Sequence, residues 1–212
     1  MIIGVTGCPG SGKSLLSATL AEKGWTLVDA DALGREVVEE DAAILGELAR
    51  LFGSDIIGPE GKLNRRLLAS RAFSTPDKTR MLNRVVHPVL ITRVSDAVRR
   101  LKDTGGRTVV DCALIYEWRV ETLFDFVVCV RADEDIRRRR LMDRDGRTTE
   151  EVDRIFSIQL SEREKMLRAD IVLANNGTAE RLIVYGLMLA ELPAYKEEGR
   201  KWERESRLGG KP

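Results

Sequence analysis

A short apolar run, Ile2-Ile3-Gly4-Val5-Thr6, leads directly into Gly7-Cys8-Pro9-Gly10-Ser11-Gly12-Lys13-Ser14 and then into a helical pattern. The stretch fits G-x-x-x-x-G-K-[ST] through Gly7, Gly12, Lys13 and Ser14, in the strand–loop–helix setting that gives the motif its chemistry. Glycines let successive backbone N–H groups turn inward at a helix N-terminus, where they cradle phosphate oxygens. Lys13 then reaches the β and γ phosphates, and the Ser14 hydroxyl is a ligand for Mg²⁺. The glycine spacing is G-x-x-G-x-G, not the G-x-G-x-x-G of dinucleotide binding, so a redox role loses its support. The loop residues Cys8, Pro9, Gly10, Ser11, Gly12, Lys13, Ser14 and Leu15 are therefore expected to hold ATP with its Mg²⁺.

Such a loop belongs to a parallel sheet, and the rest of the chain has that rhythm. Ile2–Thr6, Thr26–Asp29, Thr108–Asp111, Phe126–Val130 and Ile171–Ala174 are β-branched-rich or continuously apolar, as strands buried on both faces are. Helical patterns separate them: Lys13–Lys23 stopped by Gly24, about 77–102 stopped by Gly105-Gly106, Glu134–Asp143, Thr149–Arg168 and Ala179–Leu189. This alternation predicts an α/β fold of the P-loop NTPase type with a doubly wound, parallel five-stranded sheet. Roughly seventy residues from Ala32 to Lys102 carry helical pattern without a convincing strand, far more than a βα connection needs. They are expected to form a helical insertion over the carboxyl edge of the strands, where ligands bind in such sheets. The expected domains are a nucleotide-binding core of 1–31 and 103–195, a lid at about 134–150 and a helical substrate domain of 32–102. The charged segment 196–212 is expected to be a flexible tail.

Composition removes several function classes. The 35 Lys and Arg residues balance 34 Asp and Glu, a net charge of +1, so no bulk field marks a nucleic-acid binder and any anion must be held locally. No apolar run approaches the ~20 residues that cross a bilayer, and the N-terminus reads at once as a strand, so a cytoplasmic protein without a membrane partner is expected. A monomer is the expected state. Cys8, Cys112 and Cys129 are odd in number and share no C-x-x-C spacing, so they read as small buried apolar residues and not as a disulfide or zinc framework.

P-loops serve switches, motors and kinases, and the remaining residues favour a kinase. No guanine-reading Asn-Lys-x-Asp is present, and the even charge leaves no nucleic-acid track for a motor. Val28-Asp29-Ala30-Asp31 places two carboxylates at the end of the second strand; if strand geometry persists they share a face. One can orient an acceptor hydroxyl and take its proton while the other supports Mg²⁺ or the loop, and Asp31 is the choice for the base. The competing reading makes Asp31 a helix N-cap ahead of Ala32-Leu33-Gly34. Arg137-Arg138-Arg139-Arg140-Leu141-Met142-Asp143-Arg144-Asp145-Gly146-Arg147 reads as a lid, in which Arg140 and Arg144 stand one helical turn apart and can close over ATP phosphates, with Arg140 catalytic. Part of Arg137, Arg138 and Arg139 then forms a solvated face, and loss of the Arg137 side chain is expected to do little. Asp111 ends the third strand, where an acid holds Mg²⁺ as a Walker-B Asp does, or merely forms a turn.

Together these residues resemble the dephospho-CoA kinase family. The likeness rests on the P-loop, Asp29-Ala30-Asp31, Phe52-Gly53 with Gly61-Lys62-Leu63-Asn64-Arg65, and Leu82-Asn83-Arg84-Val85-Val86-His87-Pro88. It continues through Asp111 to Glu117, Arg140 to Asp145, Gln159, and Ala169-Asp170 with Asn175. The resemblance implies ATP-dependent phosphorylation of the ribose 3′-hydroxyl of dephospho-CoA, the last step of coenzyme A synthesis. It also implies a helical CoA domain, Arg65, His87, Asp31 and Asp111 on the acceptor side, and Asn175 on the nucleotide side. Taken alone, His87 before a proline reads as a structural hydrogen-bonding residue. One departure is the Ala113-Leu114-Ile115-Tyr116-Glu117 stretch, where the family usually carries Pro at the first position; losing its fixed φ is expected to loosen that loop. A kinase for another small nucleotide or metabolite is the alternative reading, and a non-catalytic nucleotide switch a third.

Overall fold

The computed structural model describes residues 1–192, so the expected tail at 196–212 lies outside the described residues. Five parallel strands, β1 (Ile2–Thr6), β2 (Thr26–Asp29), β3 (Thr108–Asp111), β4 (Phe126–Arg131) and β5 (Ile171–Ala174), form one sheet in the order β2-β3-β1-β4-β5. Side chains alternate across a strand, and this divides the central strands between two cores. Ile2, Val110 and Val127 face one core, while Ile3, Val5, Val109, Val128 and Val130 face the other. Burial on both faces holds for β1, β3 and β4 but not at the edges: in β2, Thr26 and Leu27 are exposed, and in β5 Val172 is.

Helix α1 (Lys13–Glu22) and a last helix, starting at 179 and described to 192, cover one face through Leu16, Leu20, Leu182 and Leu189. The other face is covered by α2 (Ala30–Glu40), α3 (Ala42–Phe52), α4 (Arg65–Ala72) and the long α5 (Pro76–Asp103), through Val37, Leu48, Leu68, Val86, Leu90 and Val94. Their ends follow local chemistry: Asp29, Asp41, Asn64 and Thr75 side chains each accept first-turn N–H groups, and Pro76 opens α5 where its missing donor is harmless. Between α3 and α4 a single antiparallel bridge joins Ile57 to Leu63.

Beyond β4 come α6 (Glu134–Asp145), α7 (Thr149–Ser157) and α8 (Glu162–Arg168). The continuous helix expected over Thr149–Arg168 is two helices. Ser161 and Glu164 form a capping box that starts α8 afresh, and the Leu160 N–H, freed from helical pairing, donates to Glu117 Oε1 at 2.9 Å. Among the described residues no helix is long and apolar enough to cross a membrane.

The loop after β3 is fixed from α8. Lys165 is fully buried; its ammonium donates to the Ala113 carbonyl and to Glu117 Oε1 at 2.7 Å, while Thr6 Oγ1 donates to the same carbonyl at 3.1 Å. The looseness expected from Ala113 is thus countered by pinning its carbonyl with two donors. Removing one partner of a buried ion pair strands the other's charge, so Lys165→Met should lose about 3–5 kcal/mol of unfolding free energy in urea titration. Lys165→Met combined with Glu117→Gln should recover much of that loss.

Candidate active site

The site is assembled by strand register. Parallel pairing sets Val5 beside Asp111 and Asp111 beside Asp29, so the P-loop and both acidic strand ends open on one edge of the sheet. Gly12 is the N-cap residue of α1 at φ 103°, with no side chain to satisfy the first-turn N–H groups. Those donors, with the positive end of the helix behind them, form a site for phosphate oxygens. A Cβ on Gly12 would stand 2.3 Å from Asn175 Nδ2, and one on Gly10 (φ 79°) would stand 2.6 Å from the Arg137 carbonyl, so both glycines are required by close approach as well as by φ.

The loop is braced from behind. Buried Asn175 donates from Nδ2 to the Ser11 carbonyl at 2.7 Å, and its backbone is anchored on Arg131. Arg140 donates to the Gly10 carbonyl at 3.3 Å and to the Asn175 carbonyl at 3.0 Å, and burial lowers its pKa. Arg140 and Arg144 both line a cavity of about 500 Å³ with Gly12, Lys13, Ser14 and Leu15, as a pair one turn apart should. Arg144 forms a two-point ion pair with Asp145 at 2.7 and 2.9 Å, which pulls the Asp145 pKa down to about 2. The side chains of Cys8 and Pro9 face elsewhere, into a recess with Arg137 and Phe156, where the Cys8 thiol lies 3.8 Å from the Leu160 carbonyl.

Arg137 departs from its expected solvated role. It is 6% exposed, donates to the Ala132 carbonyl at 2.9 Å, pairs with Glu162 at 3.4 Å and lies over the Phe156 ring. In a run of four arginines nothing marked the buried one; on α6 it is the position that turns toward the loop. Arg139 is exposed, and Arg138 pairs with Asp153 and Glu134.

The acidic pair at β2 also differs in detail. Strand geometry ends at Asp29, whose carboxylate caps α2 by accepting from the Asp31 and Ala32 N–H groups at 2.8 and 3.0 Å. The capping role belongs to Asp29, and Asp31 stands exposed in the first turn of α2. Asp111 lies between the two groups of charges: burial raises its pKa, Lys13 and a Ser14 hydrogen bond lower it, and Asp31 and Asp29 raise it again.

A second cavity, about 530 Å³, lies between α2, α4, α5 and the loop after β3, and Asp31, Arg65 and His87 line it together. Arg65 is paired with Glu39 at 2.5 Å. His87 Nδ1 accepts the Trp118 indole N–H at 3.2 Å, and burial holds the imidazole below 6.5 despite Glu117, leaving a neutral ring with Nε2 as donor. Trp118, Arg35 and Arg147 also stand in the wall; Trp118 and Arg35 were not singled out by spacing or motif, and Arg147 was expected only as the end of the lid stretch. Burial pushes Cys112 and Cys129 up to about 12, so neither is a nucleophile here.

Residues 1–181 match the dephospho-CoA kinase family. A dephospho-CoA kinase of Anaeromyxobacter dehalogenans is 40% identical over 182 residues, covering 85% of this chain and 86% of the relative. One of Corynebacterium glutamicum is 38% identical over 85% of this chain and 90% of its own. The crystal structure of a Thermus thermophilus protein, 35% identical, superposes with a TM-score of 0.70 over 91% of this chain and 97% of that one. A dephospho-CoA kinase from Campylobacter jejuni shares the fold at 18% identity, with a TM-score of 0.63 over 90% of this chain and 95% of its own.

The two inward arginines should separate in a melting experiment. Arg137→Ala leaves Glu162 without its partner and should lose roughly 2–4 kcal/mol of stability. Arg140→Ala, whose partners are carbonyls at a cavity wall, should melt close to the unaltered chain.

Proposed function

The chain belongs to the dephospho-CoA kinase family, and on that premise we propose how its residues divide the labour of ATP-dependent phosphorylation of dephospho-CoA. The reaction moves the γ-phosphoryl group to the ribose 3′-hydroxyl, giving coenzyme A and ADP. The observation that supports this division is the adjacency of two cavities: Lys13 lines one, Asp31 lines the other, and Asp111 feels both charges between them.

ATP lies in the Lys13 cavity, its phosphates on the open N–H groups of Lys13 and Ser14 and on the Lys13 ammonium. Arg140 exchanges its carbonyl partners for phosphate oxygens, with Arg144 beside it as 134–150 closes as a lid. Asn175 holds the loop shape, so its part in nucleotide binding is mechanical. The acceptor lies in the Asp31 cavity, with 32–102 as its domain. Arg65 and the Nε2–H of His87 reach acceptor oxygens, and the Asp31 carboxylate orients the ribose hydroxyl and accepts its proton. Transfer has a loose transition state, so placement of the hydroxyl in line with the γ-phosphate matters at least as much as proton removal.

Mg²⁺ fits the donors present. The described residues contain no cluster of three or more His, Cys, Asp or Glu able to hold a metal alone, and Mg²⁺ takes one or two protein oxygens with the rest from phosphate and water. Ser14 and Asp111 would hold it; the ion, when bound, neutralises charge on the transferring phosphates.

With purified protein, ATP, Mg²⁺ and dephospho-CoA, mass spectrometry should show one added phosphoryl group; preference for a plain nucleoside monophosphate would defeat the assignment. Asp31→Asn keeps size and hydrogen bonding but removes the base, so single-turnover transfer should slow by roughly 10²–10⁴-fold with ATP affinity kept. Lost ATP binding would place Asp31 in the metal site.

Asp111→Asn should separate function from stability. A carboxyl whose pKa rises on folding holds its proton more tightly folded than unfolded, so its ionisation opposes folding at neutral pH and not in acid. The variant should therefore melt higher than the unaltered chain at pH 7, with the gap closing below the ordinary carboxylate range, while transfer falls on the order of 10²-fold or more.

A further inference from the structure

The acceptor cavity does not close behind His87. At Ala69, Phe73 and Arg147 it continues into a third cavity of about 640 Å³, and these three residues line both spaces. One wall is the end of α4 and the turn after it; the other is α7 and the residue that follows it, carrying Ile155 and Ile158. We propose that this groove binds the pantetheine arm of dephospho-CoA and gives the enzyme its preference over nucleotides that lack the arm. The proposal rests on the placement of the acceptor ribose at Asp31.

The chemistry along the groove runs in the order of the ligand's own groups. In dephospho-CoA the ribose is followed by a diphosphate, then a dimethyl-substituted carbon, then two amides and a thiol. Arg147 stands at the neck between the cavities; its Nε donates to Asp145 at 3.2 Å, and the rest of its fork makes no hydrogen bond among the described residues, leaving donors for a diphosphate oxygen. Next is Phe73, an aromatic ring 46% exposed at the end of α4, facing Ile155 and Ile158 across the groove. A dimethyl carbon between them would take apolar surface out of water on both sides. Ser70 and Ser74 also line the groove; each has given its hydroxyl proton to a backbone carbonyl, at 2.8 and 2.7 Å, so each presents an oxygen that can accept an amide N–H. An apolar groove with a few placed polar atoms and one cation at its entry is what an uncharged arm trailing a diphosphate requires.

The test compares dephospho-CoA with adenosine 5′-(methyl diphosphate), which keeps the ribose and diphosphate but has no arm. Ile155→Ala and Ile158→Ala should each raise KM for dephospho-CoA roughly tenfold while kcat/KM for the truncated acceptor stays as in the unaltered enzyme. Equal losses for both acceptors, or an unchanged KM for dephospho-CoA, overturn the proposal. As a measurement independent of variant folding, dephospho-CoA carrying a benzophenone on its thiol should label peptides from 70–79 or 149–158 of the unaltered enzyme, and labelling confined to other segments overturns it. Failure of the unaltered enzyme to phosphorylate dephospho-CoA would defeat the mechanism above as well. Normal transfer with acceptor-independent variant effects removes the groove alone.

Discussion

The N-terminus of α1 carries no side-chain cap, and much of the site exists to keep it open. A helix normally satisfies its first-turn donors with its own cap; here Gly12 offers none, and an anion is the partner that both the donors and the helix dipole favour. Side chains from outside the loop must then hold it in shape. Asn175 does so at Ser11, Arg140 at Gly10, and the α6 backbone at Arg137 packs so near Gly10 that a methyl group would not fit. The helix that presents Arg140 and Arg144 to the phosphate cavity is therefore also the helix that shapes the loop, so movement of a lid there acts on both.

Charge on the acidic side is under-compensated by the chain itself. Asp29 spends its carboxylate on the α2 cap with Arg35 3.9 Å away, leaving Asp111 to feel Lys13, Asp31 and Asp29 together. Burial outweighs the relief that Lys13 and Ser14 give Asp111, so that carboxylate is a stability burden in the bare protein. A divalent cation and a correctly placed phosphate chain would supply what is missing, which is why the proposed chemistry and the folding stability of this edge pull in opposite directions.

The sheet was legible because β-branched and continuously apolar runs mark strands buried on both faces, and the P-loop fixes what precedes and follows it. The edge strands β2 and β5 read as fully buried only because apolar runs do not reveal which strand has a neighbour on both sides. The break between α7 and α8 had a written signal, Ser161-Glu162-Arg163-Glu164, hidden inside a pattern that otherwise ran on as helix. Arg137 and Lys165 had none. Each is buried because tertiary partners far along the chain, Glu162 and Glu117, arrive beside it, and spacing along one helix carries no trace of that. The same limit hid Trp118 behind His87 and kept Arg147, visible only as the end of the lid stretch, from being placed at the neck of the acceptor cavity; Lys13 and Ser14 stood out because they belong to one contiguous motif, and Asp111 because it closes a strand.

The loop after β3 shows how one constraint can stand in for another. A proline at position 113 would restrict that loop locally, through its own ring, whatever the rest of the chain did. With Ala113 there, the carbonyl is held instead by Thr6 from β1 and by Lys165 from α8, and Glu117 completes the link by bonding both the ammonium and the Leu160 N–H. Stiffness of this kind is shared among elements: Cys112, Ala113, Leu114 and Trp118, which wall the acceptor cavity, can move only if α8 and the α7–α8 junction move with them. That junction bears Ile158 in the groove beyond Arg147, so the wall behind the acceptor's ribose and the wall along its proposed path are tied by one buried ion pair.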